Sequence, residues 1–139
     1  MRPRSLIDTG GMVALLDEDD SWHARCSAAF EQIPMPMGLT LPVLTEATHF
    51  FVDHQERMRA VWRFVNSGAV VLMSVGADDL LPIEQLMVKY ADRPMDFADA
   101  TLVRVAERDG LADILSVDSD FDAYRIGARR SFRRWPGTK

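Results

Sequence analysis

The sequence predicts an α/β fold with a mostly parallel sheet covered by helices on both faces, and three observations predict it. Short apolar runs that stop at a charge or a turn alternate with stretches of helical periodicity along the 139 residues. The stretch 95–121, MDFADATLVRVAERDGLADILSVDSDF, reads as a helix, a turn and a buried strand with carboxylates at both ends. The run 69–75, AVVLMSV, is continuous enough in apolar residues to be a strand covered on both faces, and so a central one.

The elements follow in order. Ser5, Leu6 and Ile7 make a strand ending at Asp8, Thr9-Gly10-Gly11 turn the chain, and Met12 to Leu16 form a short helix. After the acidic loop 17–20, Ser21 caps a helix to about Ile33 with Trp22, Cys26, Ala29 and Phe30 inward, and Pro34 and Pro36 break it. Residues 38–41 give a second strand, and Pro42 opens a helix to about Asp53 carrying Leu44, Ala47, Phe50 and Phe51, with Glu46 in about its first turn. Gln55 to Asn66 is a helix striped by Met58, Val61, Trp62 and Val65, closed by Ser67-Gly68.

Past the 69–75 strand, Asp78 or Asp79 caps a helix to about Tyr90 that tolerates Pro82 only in its first turn. In the stretch 95–121, Ala98, Leu102, Val105 and Ala106 recur at helical spacing, Gly110 stops the helix, and Ile114, Leu115 and Val117 form the strand. One helical turn, Gly127 and an edge strand near Ser131 to Trp135 complete the chain.

With 47% hydrophobic and 27% charged residues, this is the composition of one ordinary globular domain over 1–139. No apolar run approaches the roughly 18 residues of a membrane span, and the early arginines lack a following cleavage site, so the expected location is cytoplasmic. The single Cys26 cannot form an internal disulfide and reads as an inert core residue. The net charge of −5 conceals an asymmetry: segment 125–139 holds Arg125, Arg129, Arg130, Arg133, Arg134 and Lys139 and no acid. The remaining ten basic and 21 acidic residues leave residues 1–124 at −11. An acidic body with a basic tail can hold cations in one place and phosphates in another; a solvated, salt-bridging tail explains the basic run equally well.

Four acids stand where an α/β fold can aim them at one edge of its sheet. Asp8 and Asp118 follow strands, and Glu46 and Asp99 lie early in helices. Converging carboxylates repel unless a cation joins them, and an all-oxygen set suits Mg²⁺ or Mn²⁺. Each acid also has a plainer explanation. Asp96 and Asp99 have capping-box spacing, Asp8 can open a turn, and Glu46 can complement a helix dipole. Residues 118–122, DSDFD, imitate a calcium loop, but Ala123 and Arg129 replace its glycine and its bidentate glutamate. Glu46 and His49 form one Glu-x-x-His step that does not recur, so a di-metal bundle is not indicated. Neither a nucleophile elbow nor a phosphate-cradling loop is present.

LIDTG at the start, LTEATH in the middle, then DFADATLVRVA and ILSVDSDF, in this order and over essentially the whole chain, resemble the PIN-domain family, particularly its VapC-type toxins. The resemblance implies a three-layer fold with about five strands and a metal-dependent endoribonuclease. It carries the family's four acids onto Asp8, Glu46, Asp99 and Asp118. Of these, Asp8, Asp99 and Asp118 would hold Mg²⁺ or Mn²⁺ and Glu46 would orient or deprotonate the attacking water. Thr9, Asp96, Ser116 and Asp120 become outer-shell or alternate ligands, with Asp118 and Asp120 able to exchange roles. Arg125, Arg129, Arg130, Arg133 and Arg134 would grip RNA phosphates.

A homodimer and a small antitoxin are the partners implied. Two other readings of the same acids are a housekeeping RNA-processing nuclease and a non-catalytic regulatory module that binds a cation. A dehalogenase-type phosphatase is disfavoured because Gly10 stands where its second aspartate belongs, and a receiver because no strand supplies its aspartate and lysine.

Overall fold

The computed structural model describes residues 1–137; Thr138 and Lys139, the end of the basic segment, lie outside the described residues. In chain order the elements are β1 (Ser5–Ile7), α1 (Thr9–Leu16), α2 (His23–Phe30), β2 (Met37–Leu39), α3 (Leu41–Phe50) and α4 (Gln55–Val65). There follow β3 (Val70–Leu72), a 3₁₀ turn (Ala77–Asp79), α5 (Leu80–Lys89), α6 (Phe97–Asp109) and β4 (Asp113–Leu115). A second 3₁₀ turn (Ser119–Asp122), β5 (Arg125–Ile126), β6 (Arg130–Ser131) and β7 (Arg133–Trp135) end the chain.

The main sheet has the order β3-β2-β1-β4-β7, and each neighbouring pair is parallel. The α/β expectation of about five parallel strands flanked by helices therefore holds. Leu6, Ile7, Met37, Leu39, Ile114 and Leu115 from the three middle strands are all fully buried, as a sheet covered on both faces requires. The helix of the organising stretch, α6, buries Leu102, Val103, Val105 and Ala106 against them and ends at Gly110, whose φ of 72° is the left-handed C-cap conformation.

Four local expectations are corrected. The central strand is β1, and β3 is an edge: Leu72 at its end is 54% exposed. Apolar content here reports an exposed apolar surface as much as depth in the sheet. Gly10 and Gly11 belong to the first turn of α1 rather than to a turn before it. A Cβ on Gly11 would stand 2.4 Å from the Leu115 carbonyl oxygen, so glycine lets the helix begin directly against β4. The α2 helix starts later than Ser21, and Asp20 rather than Ser21 takes the nearby amide, accepting from Trp22 N–H at 2.8 Å. Trp62 and Phe50, expected to face inward, are 46% and 62% exposed. A small antiparallel hairpin, β5 with β6, precedes the expected terminal edge strand.

Candidate active site

The site is built where β1 and β4 end. These strands are neighbours with Ile7 opposite Leu115, so Asp8 and residues 116–118 leave the sheet side by side. Asp8 is 3% exposed and caps α1: one carboxylate oxygen accepts from Gly11 N–H at 2.7 Å and the other from the Ser116 hydroxyl at 2.5 Å. Burial, reinforced by the charge of Asp118, outweighs these bonds and pushes the Asp8 carboxyl up to about 6. Ser116 also accepts from Asp118 N–H at 3.0 Å, so one buried hydroxyl joins the first acid to the backbone of the last.

The other two acids arrive on helices. Glu46, in the second turn of α3, accepts from the Thr9 hydroxyl at 2.8 Å, which ties it to the residue after Asp8. The α3 and α6 helices are pinned together by a buried Thr40–Thr101 hydroxyl pair at 2.8 Å. Asp96 caps α6 by accepting from Asp99 N–H at 2.9 Å, the half of the capping box that was expected of it. Asp99, one turn in, is pushed up to about 8, by burial first and then by the charges of Asp96, Asp8, Asp118 and Glu46. The charges of Asp8, Glu46 and Asp118, the other acids singled out in the sequence, thus all reach Asp99.

Asp118 and Asp120 are not equivalent. Asp118 raises both Asp8 and Asp99, and its carboxylate accepts from Asp120 N–H at 2.9 Å. Asp120 instead pairs with Arg93 at 3.1 Å. Among the arginines of the tail, Arg134 is occupied internally by Asp122 at 3.0 Å and by the Ser116 carbonyl, and its side chain is 7% exposed. Arg125 donates to the carbonyls of Asp122 and Tyr124, whereas Arg129, Arg130 and Arg133 are exposed. Sequence reasoning passed over Arg93, a cation at the acid edge, and Tyr124, a buried phenol behind it; neither stands in a motif, and only the fold brings them there. His49 is exposed, and burial pushes the Cys26 thiol up to about 11, which leaves it an inert thiol.

The donor set fits a hard divalent cation, being made of carboxylates and hydroxyls whose crowding a positive charge would relieve. Among the described residues no three acidic, His or Cys groups stand close enough to form a closed cage. An apolar cavity of about 540 Å³ lies between Leu41, Leu72, Leu80 and Phe97. A shallower one of about 360 Å³ shares Leu41 and Phe97 and reaches Glu46.

A parallel five-stranded sheet with acids gathered at its carboxyl edge defines a PIN-like α/β protein. Over 132 residues the chain is 30% identical to ribonuclease VapC26 of Mycobacterium tuberculosis, covering 90% of this chain and 96% of that protein. The crystal structure of VapC20 from the same organism, described as a sarcin-ricin loop cleaving toxin, superposes with a TM-score of 0.78 at 22% identity. That match covers 85% of this chain and 92% of VapC20, and it speaks for the fold. No protein-family model matches the sequence. The chain belongs to the VapC-type toxin ribonucleases of the PIN-domain family.

Proposed function

We propose that this chain is a divalent-metal-dependent endoribonuclease acting as the toxin of a toxin–antitoxin pair, with Asp8, Glu46, Asp99 and Asp118 as its working acids. The observation that carries this reading is the bonded arrangement at the ends of β1 and β4, where Ser116 joins Asp8 to the backbone of Asp118 and Thr9 holds Glu46, in a chain 30% identical to a VapC ribonuclease; burial and then the charges of Asp96, Asp8, Asp118 and Glu46 raise Asp99 there. An acid cluster of that kind is unfavourable in an empty protein and useful around a cation.

Asp8, Asp99 and Asp118 would hold Mg²⁺ or Mn²⁺, directly or through waters. An ion held there would make a bound water more acidic and offset charge on the scissile phosphate. Asp8 is fixed for this task by Gly11 N–H and the Ser116 hydroxyl, so its orientation is set before the ion arrives. Glu46 is fixed by one oxygen on Thr9 and has its second oxygen to orient a water and take its proton. The water oxygen bonds to phosphorus, the bond from phosphorus to O3′ breaks, and O3′ leaves with a proton from solvent. The products end in 5′-phosphate and 3′-hydroxyl. Exposed Arg129, Arg130 and Arg133 carry flanking phosphates, and Arg93 can exchange Asp120 for one.

In this reading the partners are RNA, a small antitoxin and a second copy of the chain, and the location is cytoplasmic. No helix among the described residues is long and apolar enough to cross a membrane.

The test is cleavage of structured RNAs, the sarcin-ricin loop cut by VapC20 among them, with and without Mg²⁺ or Mn²⁺. Wild type should cut only with metal and leave 5′-phosphate ends. Asp8→Asn should abolish cleavage, and Glu46→Gln should slow it by about 10²-fold or more with little change in KM. Ends bearing 2′,3′-cyclic phosphate, or full activity in chelator, would overturn the proposal.

A further inference from the structure

Tyr124 is fully buried, and its hydroxyl is the buried side-chain oxygen that has no hydrogen-bond partner among the described residues. An unpaired buried hydroxyl costs stability, and such atoms in folded proteins call for an explanation. The neighbouring tyrosine shows the contrast, for the Tyr90 hydroxyl accepts from Arg125 N–H at 3.0 Å.

The phenol is also held in place. Its ring meets Tyr90 and Phe121 edge to face, with centroids 5.0 and 5.1 Å apart, and its own amide donates to the Asp120 carbonyl at 3.1 Å. A ring clamped in this way cannot swing its hydroxyl to solvent without breaking the packing of the 119–124 turn. Burial first, and then the charges of Asp99, Asp120, Asp118 and Asp96, keep the phenol well above its ordinary range. It is therefore a fixed, unpaired donor that feels the charge of the acid cluster and is joined through its own amide to the acidic 118–122 segment.

We propose that Tyr124 is a positioning residue of the acidic site, whose hydroxyl donates to the Asp99 carboxylate when that carboxylate turns to ligate the divalent cation. This rests on the cation-binding reading given above. Ligating carboxylates are ordinarily held from behind by such bonds, and losing one weakens metal binding by about 10- to 100-fold. Glu46 and Asp8 already have their supports in Thr9 and Ser116; Tyr124 gives Asp99 its own.

The test is Tyr124→Phe in the full chain, with three readouts: melting of the metal-free protein, Mn²⁺ affinity by calorimetry, and RNA cleavage. The expected result is a metal-free melting temperature equal to or above that of wild type, because the variant loses an unpaired oxygen and keeps the ring. Its Mn²⁺ affinity should fall by about 10- to 100-fold, and cleavage should recover at high Mn²⁺. A variant that binds Mn²⁺ as tightly as wild type overturns the role of Tyr124 and leaves the cation reading intact. A metal-free variant that melts well below wild type also overturns it, since the hydroxyl would then be bonded already. Wild type that binds neither Mn²⁺ nor Mg²⁺ removes the cation reading itself, and this proposal with it.

Discussion

Asp99 is where the tension in this molecule concentrates. In the unfolded chain its carboxyl ionises near 3.8, and in the folded chain it keeps its proton up to about 8. Between those values the folded protein binds more protons than the unfolded one, so metal-free stability falls as pH rises through that window. Asp8, raised to about 6, adds to the slope over its lower part. Thermal melts in chelator should therefore show a higher melting temperature at pH 5 than at pH 8. Asp99→Asn should raise the melting temperature at both pH values, and by clearly more at pH 8 than at pH 5, where only the lower part of the window has been crossed. A variant that melts lower than wild type at pH 8 would contradict the crowding described for this edge.

At the scale of elements, the active edge depends on how closely α1 approaches β4 and how firmly α6 is tied to its surroundings. The approach is tested by Gly11→Ala, whose Cβ meets the Leu115 carbonyl at 2.4 Å. Overpacking there should cost about 1–3 kcal/mol in urea unfolding, whereas Gly76→Ala, which meets nothing within 4 Å, should be nearly silent. The tie is Asp79, 5% exposed, which accepts from Gly76 N–H at 2.9 Å, from Arg104 at 2.7 Å and from Arg108 at 3.2 Å. These bonds, the backbone one foremost, hold its carboxyl below the usual range. Its contribution is present above the unfolded value of 3.8 and disappears as pH falls through the lower folded value. Asp79→Asn should accordingly cost roughly 2 kcal/mol at pH 7 and much less near pH 3, read from the same unfolding curves.

For the whole molecule, charge separation governs how RNA is met. In the proposed function the acid edge would repel phosphate until a cation is bound, and the exposed arginines of the 125–134 segment would offer the attraction. RNA affinity should fall with salt, and Arg129→Ala and Arg130→Ala should each flatten the dependence of log K on log salt by about 0.7. Arg134→Ala should instead act mainly on stability, because that side chain is engaged with Asp122 and the Ser116 carbonyl. If Arg129→Ala and Arg130→Ala leave the slope unchanged, RNA crosses the protein by another face.

How much of this was legible in the sequence differs from residue to residue. Asp8, Asp96 and Gly110 announced themselves, because caps, strand ends and helix stops depend on a few adjacent residues; their local chemistry gave the α/β alternation and the four candidate acids. The rank of the strands did not, since β1 is central with three residues and the longer apolar run at β3 is an edge. Strand order is set by which crossovers pack, a contact between distant segments. Nor did the facing of Trp62 and Phe50, because a broad apolar arc on a helix leaves its rotation to be chosen by neighbours. By itself, then, the sequence determined the elements, their polarity and the residues able to carry carboxylate chemistry. Only the tertiary structure decided that Asp8, Glu46, Asp99 and Asp118 share one field, that Arg134 is spent internally, and that Tyr124 stands unpaired behind them. Burial and electrostatic coupling depend on distances in space, which residue spacing along the chain does not contain.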